Sequence, residues 1–245
     1  MRYLILSDIH SNWEALEAVL HTAEGLYDRI LCLGDLVGYG ADPNRVVDWV
    51  RENVSVVIRG NHDKACSGME SLEWFNEIAR EAALWTLNQL TQDNLNYLLM
   101  LARGPLETGG MTLVHGSILD EDEYVVSPRE AAQMFPYLDG HLTFFGHTHI
   151  QGGFIQFQEK LQVVRPMPNK GPQYLQLQEE EKYLLNPGSV GQPRDGDWRS
   201  GFVLYDPGER LVVFYRIEYD IDSAQEKIRS AGLPEHLASR LTAGR

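Results

Sequence analysis

Side chains that can bind metal ions follow five apolar, strand-like runs in the first 150 residues of this chain. The groups are Asp8-Ile9-His10, Gly34-Asp35, Gly60-Asn61-His62-Asp63, His115 and Gly146-His147-Thr148-His149. In open α/β sheets, the carboxyl ends of the strands form one crevice in which ligands bind. We therefore expect these groups to converge in space. Because residues i and i+2 of an extended chain point to the same side, the pairs Asp8/His10 and His147/His149 would each face one cavity.

The ligand types in these groups indicate a site for a transition metal. Imidazole, carboxylate and amide oxygen suit Mn, Fe, Zn, Co or Ni, and the set has too many histidines for a calcium site. Each group alone has an ordinary explanation, because buried histidines are usually hydrogen-bonded core residues and Gly-Asp or Asn-His-Asp is common in turns. However, five of the eight histidines follow predicted strands. We interpret His21, His141 and His236 as ordinary residues.

The elements that position these groups alternate between strand and helix. Strands are predicted at 4–6, 30–33, 54–58, 111–114 and 142–145, where apolar and β-branched residues are concentrated. Helices are predicted to begin at Ser11, through a capping box with Glu14, at Pro43 and at Ser127. Residues 70–102 follow a helical pattern with a break at Thr91.

The pattern changes after about residue 150. Antiparallel strands are predicted at 154–157, 161–164, 174–177, 202–205 and 211–215, followed by a late helix at 222–231. The chain is therefore α/β in its first part and α+β in its later part. Both parts fit a single domain, residues 1–245, with two packed sheets flanked by helices.

Composition limits the function classes. The apolar content of 43% and the charged content of 23% are typical of a globular protein, and no apolar run is long enough to span a bilayer. The net charge of −14 argues against membrane surfaces and makes duplex nucleic acid an improbable partner, because both require clustered Lys and Arg. With two cysteines, Cys32 and Cys66, and no signal peptide, we expect a cytoplasmic protein.

The ordered set of groups between residues 8 and 149 resembles the signature of the calcineurin-like metallophosphoesterases. The later stretch Asn186-Pro187-Gly188-Ser189-Val190-Gly191-Gln192-Pro193-Arg194 is similar to the YfcE-like phosphodiesterase group of that superfamily. The resemblance implies a four-layer αββα sandwich with two mixed sheets. It also implies an enzyme that hydrolyses phosphate esters with two divalent metal ions, for which manganese is one candidate.

The resemblance further implies a role for each matching residue. Asp8, His10 and His149 would hold one metal ion, Asn61, His115 and His147 the other, and Asp35 would bridge them. A hydroxide bridging the two ions would attack phosphorus, and His62, oriented by Asp63, would assist the leaving group. Substrate contacts would come from Asn61, His62 and Arg194, although Arg194 is equally well explained as a surface arginine.

The expected partner is a small phosphate ester. Superfamily protein phosphatases carry Asp-Arg-Gly after the bridging aspartate, and that arginine is missing after Asp35, which favours a phosphodiester or small nucleotide-type substrate over a phosphoprotein. A non-catalytic scaffold of this fold, a phosphomonoesterase, a nuclease and a purely structural metal site remain as alternatives. Loops at 36–44, 64–75 and 150–200 are expected to define the substrate.

Overall fold

The computed structural model describes residues 1–73, 75–167 and 171–245. Its strands form two mixed sheets of six strands each. The first sheet contains, in spatial order, β3 (Val56–Val57), β2 (Arg29–Cys32), β1 (Tyr3–Leu6), β11 (Ser200–Asp206), β12 (Leu211–Ile217) and β9 (Gln173–Gln176). The second contains β4 (Leu106–Thr108), β5 (Met111–Leu113), β6 (Leu142–Phe144), β10 (Lys182–Asn186), β7 (Gly152–Phe157) and β8 (Lys160–Val164).

Helices cover the outer face of each sheet. Those on the first sheet are α1 (Trp13–Ala23), α2 (Pro43–Asn53), α3 (Asn61–Cys66), α4 (Glu77–Gln89), α5 (Gln92–Met100), α7 (Ile221–Ser230) and α8 (Glu235–Ala243). The second sheet is covered by α6 (Pro128–Met134) and the short 3-10 helix that follows it, Phe135–Tyr137. None of the helices in the described ranges is long and apolar enough to cross a membrane.

The alternation of side chains along β1 shows how the layers pack. Leu4 and Leu6 face the helices, whereas Tyr3 and Ile5 belong to the apolar cluster between the two sheets. Because both faces are covered, this strand reads as a continuous apolar run rather than an alternating one. The order helix, sheet, sheet, helix confirms the predicted αββα sandwich.

Parallel pairing brings the strand ends together. Strand β1 pairs in parallel with β2, and β2 with β3, while β6 pairs in parallel with both β5 and β10. All the chain segments with candidate ligands leave the carboxyl ends of these strands. The predicted convergence of the five groups at one edge of the sandwich is therefore observed.

Several boundaries differ from the sequence prediction. Helix α1 is capped by Asn12, whose Oδ1 accepts from Ala15 N at 3.1 Å, so the predicted capping box from Ser11 does not form. Strands β4 and β10 and helix α8 were not predicted. The predicted break at Thr91 is present, where Thr91 caps α5, and the helix predicted to begin at Ser127 does so through a capping box with Glu130.

Candidate metal centre

Two groups of buried side chains meet at the shared edge of the sheets. Asp8, His10, Asp35 and His149 form the first group, and Asp35, His115 and His147 form the second. Within each group, one potential donor atom per residue lies within 4.8 Å of the others. Asp35 belongs to both, as expected of a bridging ligand.

The backbone at these positions is not extended, which corrects one step of the sequence argument. Asp8, His10, Asp35, His147 and His149 all have positive φ angles, between 51° and 65°. Such left-handed conformations are uncommon for residues other than glycine and cost about 1–3 kcal/mol each. The side chains converge because tight turns follow the strands, and five strained residues in one place are typical of a functional site.

Hydrogen bonds to backbone carbonyls define the protonation of the first group. His10 Nδ1 lies 3.0 Å from the Val37 carbonyl oxygen, and His149 Nδ1 lies 2.6 Å from that of Gln192. A carbonyl oxygen only accepts, so each Nδ1 carries the proton and each Nε2 presents a lone pair. These two Nε2 atoms face each other at 3.1 Å. Two facing lone pairs repel unless a cation binds both.

The second group follows the same logic. His115 Nδ1 donates to the Leu33 carbonyl at 2.7 Å, which leaves its Nε2 facing Asn61 Oδ1 at 3.3 Å and Asp35 Oδ2 at 3.5 Å. His147 Nε2 donates to the Asp122 carbonyl at 3.0 Å, which leaves Nδ1 as its donor atom for a metal. Second-sphere hydrogen bonds of this kind are usual for metal-binding histidines.

The carboxylates supply the negative charge that a cation requires. Asp8 Oδ2 and Asp35 Oδ2 are buried and accept no hydrogen bond from any described residue. Burial raises the pKa of Asp8 to about 7. Burial would also raise the pKa of Asp35, but neighbouring histidines, above all His115, hold it well below its usual value. Unpartnered acceptors on both carboxylates and on the facing imidazoles fit divalent cations.

In the absence of a cation, a proton on His115 partly compensates the negative charge of the carboxylates. Burial lowers the pKa of His115, but Asp35 and then Asp8 overcome this effect and raise it to about 10. Burial lowers the pKa of His147 to about 3 and that of His10 and His149 well below its usual value. Three of the four imidazoles are therefore already neutral and able to bind a metal.

His62 lies beside the first group without being part of it. Its ring is 4% exposed and packs against Tyr39, His10 and Phe75, with centroid distances of 4.3, 4.9 and 5.1 Å. Burial lowers the pKa of His62 to about 4. Its Nδ1 has no hydrogen-bond partner among the described residues. His62 is thus placed next to the candidate ligands, and its side chain lines the depression beside them.

Comparison with known proteins agrees with this geometry. A family model described as the calcineurin-like phosphoesterase superfamily domain matches residues 1–209. The chain belongs to the calcineurin-like phosphoesterase superfamily. The family predicted from the sequence is confirmed, and the chain is a metallophosphoesterase superfamily hydrolase with a buried His/Asp cluster that can hold metal.

Two relatives match nearly the whole chain. A metallophosphoesterase from Sphaerobacter thermophilus is 42% identical, with a TM-score of 0.87 over 100% of this chain and 99% of that chain. Protein MJ0912 of Methanocaldococcus jannaschii, described as uncharacterized, is 38% identical over 98% of this chain and 97% of its own length. YfcE, a phosphoesterase from E. coli, also matches, with 18% identity, 89% and 100% coverage and a TM-score of 0.45.

Asp63 does not have the role that the family resemblance implied. Its Oδ2 accepts from the backbone N–H of Asp35 at 2.8 Å and of Gly60 at 2.9 Å, and its Oδ1 accepts from Leu36 at 2.8 Å. With both oxygens used by backbone groups, Asp63 does not orient the His62 ring. We therefore correct the prediction: Asp63 is a structural anchor that holds two metal-site loops together.

Gly60 allows that close approach. A Cβ at Gly60 would lie 2.1 Å from Asp35 Oδ1 and 2.6 Å from Asp35 N, both closer than any real contact. Asp35 Oδ1 instead accepts from the backbone N–H of His62 at 2.8 Å. The glycine therefore keeps the shared aspartate and the His62 loop in direct contact.

Arg194 lies at the metal centre rather than on a remote surface. Its Nη2 is 3.4 Å from the Tyr39 hydroxyl and 3.2 Å from Gln192 Oε1, and its Nε is buried without a hydrogen-bond partner among the described residues. Its backbone N–H donates to the carbonyl of His149 at 3.2 Å. Of the two interpretations left open for Arg194, this position favours the one in which it contacts a substrate.

The sequence did not single out the aromatic residues of the cleft beside the metal centre, although it indicated Asn61, His62 and His147 and two of the loops. A depression of about 400 Å³ is lined by Asn61, His62 and His147 together with Tyr39, Phe75 and Tyr124. The Tyr124 ring stacks on His147 at 3.9 Å. Of the loops expected to define the substrate, 36–44 and 64–75 contribute residues here. Residues 74 and 168–170 of the expected loops lie outside the described residues.

Proposed function

We propose that this protein hydrolyses small phosphodiesters or nucleotide-type phosphate esters with two divalent metal ions. The observation that carries the proposal is the orientation of the imidazole lone pairs, with His10 and His149 Nε2 facing each other at 3.1 Å and Asp35 shared by both groups. Asp8, His10 and His149 would hold one ion. Asn61, His115 and His147 would hold the other, with Asp35 between them.

When bound, the two ions would supply the positive charge that polarises the phosphate and acidifies the attacking water. The protein itself would position the substrate and provide a proton. His62 lines the cleft, and its ring would donate a proton to the leaving oxygen. Burial lowers the pKa of His62 to about 4, but the negative charge of a bound phosphate would act in the opposite direction and favour the protonated ring.

The charges around the cleft favour a phosphodiester as the substrate. The two residues after Asp35 are Leu36 and Val37, both fully buried, so no arginine grips a phosphate dianion there. The carboxylates of Glu70 and Asp122 also line the cleft. A diester carries one negative charge, and a monoester carries nearly two at neutral pH, so these carboxylates repel a diester less.

The aromatic rings of the cleft support an organic group attached to the phosphate. Tyr39, Phe75 and Tyr124 line it within reach of His62 and His147. Flat aromatic side chains stack on bases and other planar groups. A nucleoside or a similar ring on the diester would therefore be held in this cleft.

Hydrolysis of bis(p-nitrophenyl) phosphate by manganese-loaded protein tests the proposal. We expect turnover that is abolished by a chelator, and a loss in kcat of about 100-fold or more in His62→Ala. His21→Ala, at an exposed histidine of α1, is the matched control and is expected to behave as the wild type. Elemental analysis is expected to find two metal ions per chain, and Asp35→Asn to lose both.

Other outcomes would favour the alternatives. Metal binding without turnover, together with no effect of His62→Ala, would indicate a non-catalytic scaffold. Faster hydrolysis of p-nitrophenyl phosphate than of the bis ester would indicate a phosphomonoesterase. Activity on long DNA that falls steeply with salt, beside weak activity on small diesters, would indicate a nuclease.

A further inference from the structure

Two arginines approach one tyrosine ring at the edge of the cleft. The guanidinium carbon of Arg194 is 5.7 Å from the centroid of the Tyr39 ring, and that of Arg240 is 5.8 Å from it. Arg240 is on the C-terminal helix α8, far from Arg194 in sequence. In a chain with a net charge of −14, two cations at one aromatic ring require an explanation.

Neither arginine is neutralised by a side chain. Among residues 1–73, 75–167 and 171–245, no Asp or Glu side chain forms a salt bridge with Arg194 or Arg240, whereas Arg199, Arg216 and Arg229 each have one. Arg240 Nε donates to the main-chain oxygen of Arg245, which leaves its other donors for a ligand. Guanidinium groups that match the geometry of phosphate and have donors not engaged by an Asp or Glu side chain are typical of anion sites.

Arg240 is held in this position by packing and by a backbone contact. Leu237 and Leu241 of α8 are buried in the core. Gly244, at the end of the helix, accepts a hydrogen bond from the backbone N–H of Gly196 at 3.0 Å, and a Cβ there would meet the backbone of Asp197 at 2.8 Å. Helix α8 is therefore docked on the loop that carries Arg194. It lies after the matched range 1–209, so the family domain alone does not supply Arg240.

Tyr39 connects the arginine pair to the chemistry. Its ring centroid is 4.7 Å from that of His10 and 4.3 Å from that of His62. An anion held by the pair would therefore lie next to a phosphate held at the metal centre.

The cleft continues from the metal centre toward Arg240. The depression beside the metal centre adjoins a second one of about 390 Å³, and Tyr39, Asn76 and Ala79 line both. Glu70 and Asp122 line the first depression without a cationic side chain among the described residues, whereas Arg240 lines the second together with Glu77. An elongated substrate is thus expected to bind with its anionic part toward Arg240.

We propose that Arg194 and Arg240 form a subsite for a second phosphate group of the substrate. The substrate class is then an ester with two or more linked phosphates, such as a dinucleoside diphosphate, rather than a diester of a single phosphate. This assignment rests on the proposed function for the reacting phosphate, but the subsite itself consists of side chains that are not metal ligands. Its ligand is recognised by charge and by hydrogen bonds from both guanidinium groups.

The first test measures binding without metal. Titration calorimetry of the metal-free protein with inorganic pyrophosphate is expected to show binding that weakens about tenfold or more in Arg240→Ala, because charge-assisted hydrogen bonds are lost. The affinity of Arg240→Lys should lie between those of the wild type and Arg240→Ala, since lysine keeps the charge but not the planar pair of hydrogen-bond donors. Arg129→Ala, at an exposed arginine of α6, is the control. Equal binding by wild type and Arg240→Ala, or binding only after metal is added, would overturn the subsite.

The second test compares two substrates of the manganese-loaded protein. The ratio of kcat/KM for diadenosine diphosphate to that for bis(p-nitrophenyl) phosphate is expected to fall about tenfold in Arg240→Ala, mainly through KM. An equal loss on both substrates would contradict a second-phosphate role. No turnover on either substrate, with pyrophosphate binding intact in the first test, would refute the proposed hydrolysis and leave the anion subsite supported.

Discussion

Asparagine at position 63 separates a structural role of Asp63 from a catalytic one. The Asp63 carboxylate accepts four backbone N–H groups: Asp35 and Gly60 at Oδ2, and Leu36 and Val37 at Oδ1, the last at 3.4 Å. All of these contacts are buried. In Asp63→Asn, the amide keeps one oxygen and turns an NH₂ group toward the other pair of donors, so half of the contacts are lost.

The magnitude follows from the donors left without an acceptor. An unsatisfied buried donor costs about 1–3 kcal/mol. The pair of donors at Oδ1 contains only one short hydrogen bond, that from Leu36. With the NH₂ group turned toward this pair, we expect the free energy of unfolding to fall by about 2 kcal/mol. For a domain of this size, that loss lowers Tm by roughly 4–8 °C. Asp63→Ala removes every acceptor and is expected to lower Tm by roughly 10 °C or more.

Thermal unfolding in a chelator, followed by circular dichroism, measures the effect. Asp48→Asn, at an exposed position of α2, is the control and should unfold as the wild type does. Because Asp63 holds the backbone of Asp35, metal affinity should also fall in Asp63→Asn. An unchanged Tm with full metal content and a large loss in kcat would refute the reasoning, because it would mean that Asp63 acts on His62 after all.

Four further predictions concern the metal centre. Lys64→Met removes the ammonium that contacts Asp122 Oδ2 at 2.6 Å. Because the Asp122 carbonyl oxygen positions His147, metal affinity should fall about tenfold. A competitive chelator titration measures the affinity, with the exposed Lys160→Met as control. Because burial raises the pKa of Asp8 to about 7, a cation bound by Asp8, His10 and His149 must displace a proton below that pH. The affinity of this group should therefore fall as pH decreases below 7, and a flat profile in the same titration would contradict this. The same raised pKa destabilises the metal-free protein as pH rises from 3.8 to about 7, since only the folded state keeps the proton there. Removing metal that was present at about 100 times its dissociation constant should lower the free energy of unfolding by about 2.7 kcal/mol and Tm by roughly 5–10 °C. A Tm that does not change when a chelator is added would show that the site does not hold metal in the folded state.

The sequence predicted the metal centre well because local patterns determine where strands end. An apolar run that stops at Asp8, at Gly34-Asp35 or at His115 identifies both the element and the polar group that follows it. Parallel pairing then brings those groups together without further information. The left-handed backbone at the ligands was not predictable, because these residues favour it only when the surrounding structure imposes it.

The errors share one cause, which is that tertiary contacts decided the outcome. Strand β10 directly follows the three glutamates 179–181 and begins with Lys182, yet most of it is buried between β6 and β7. Asp63 follows His62 directly, and only the close approach at Gly60 shows that its oxygens face backbone groups of another loop. Arg240 has no local signal at all, since α8 reaches Tyr39 by folding back onto the loop 194–197.

The two sheets contribute unequally to each candidate ligand group. Asp8, His10 and Asp35 follow strands of the first sheet, whereas His115, His147 and His149 follow strands of the second. A cation bound by either group would therefore be a cross-link between the sheets, in addition to the apolar cluster that they share. Hydrogen–deuterium exchange should then slow in β1, β2, β5 and β6 together when metal is added, while the outer helices α6 and α7 exchange as before.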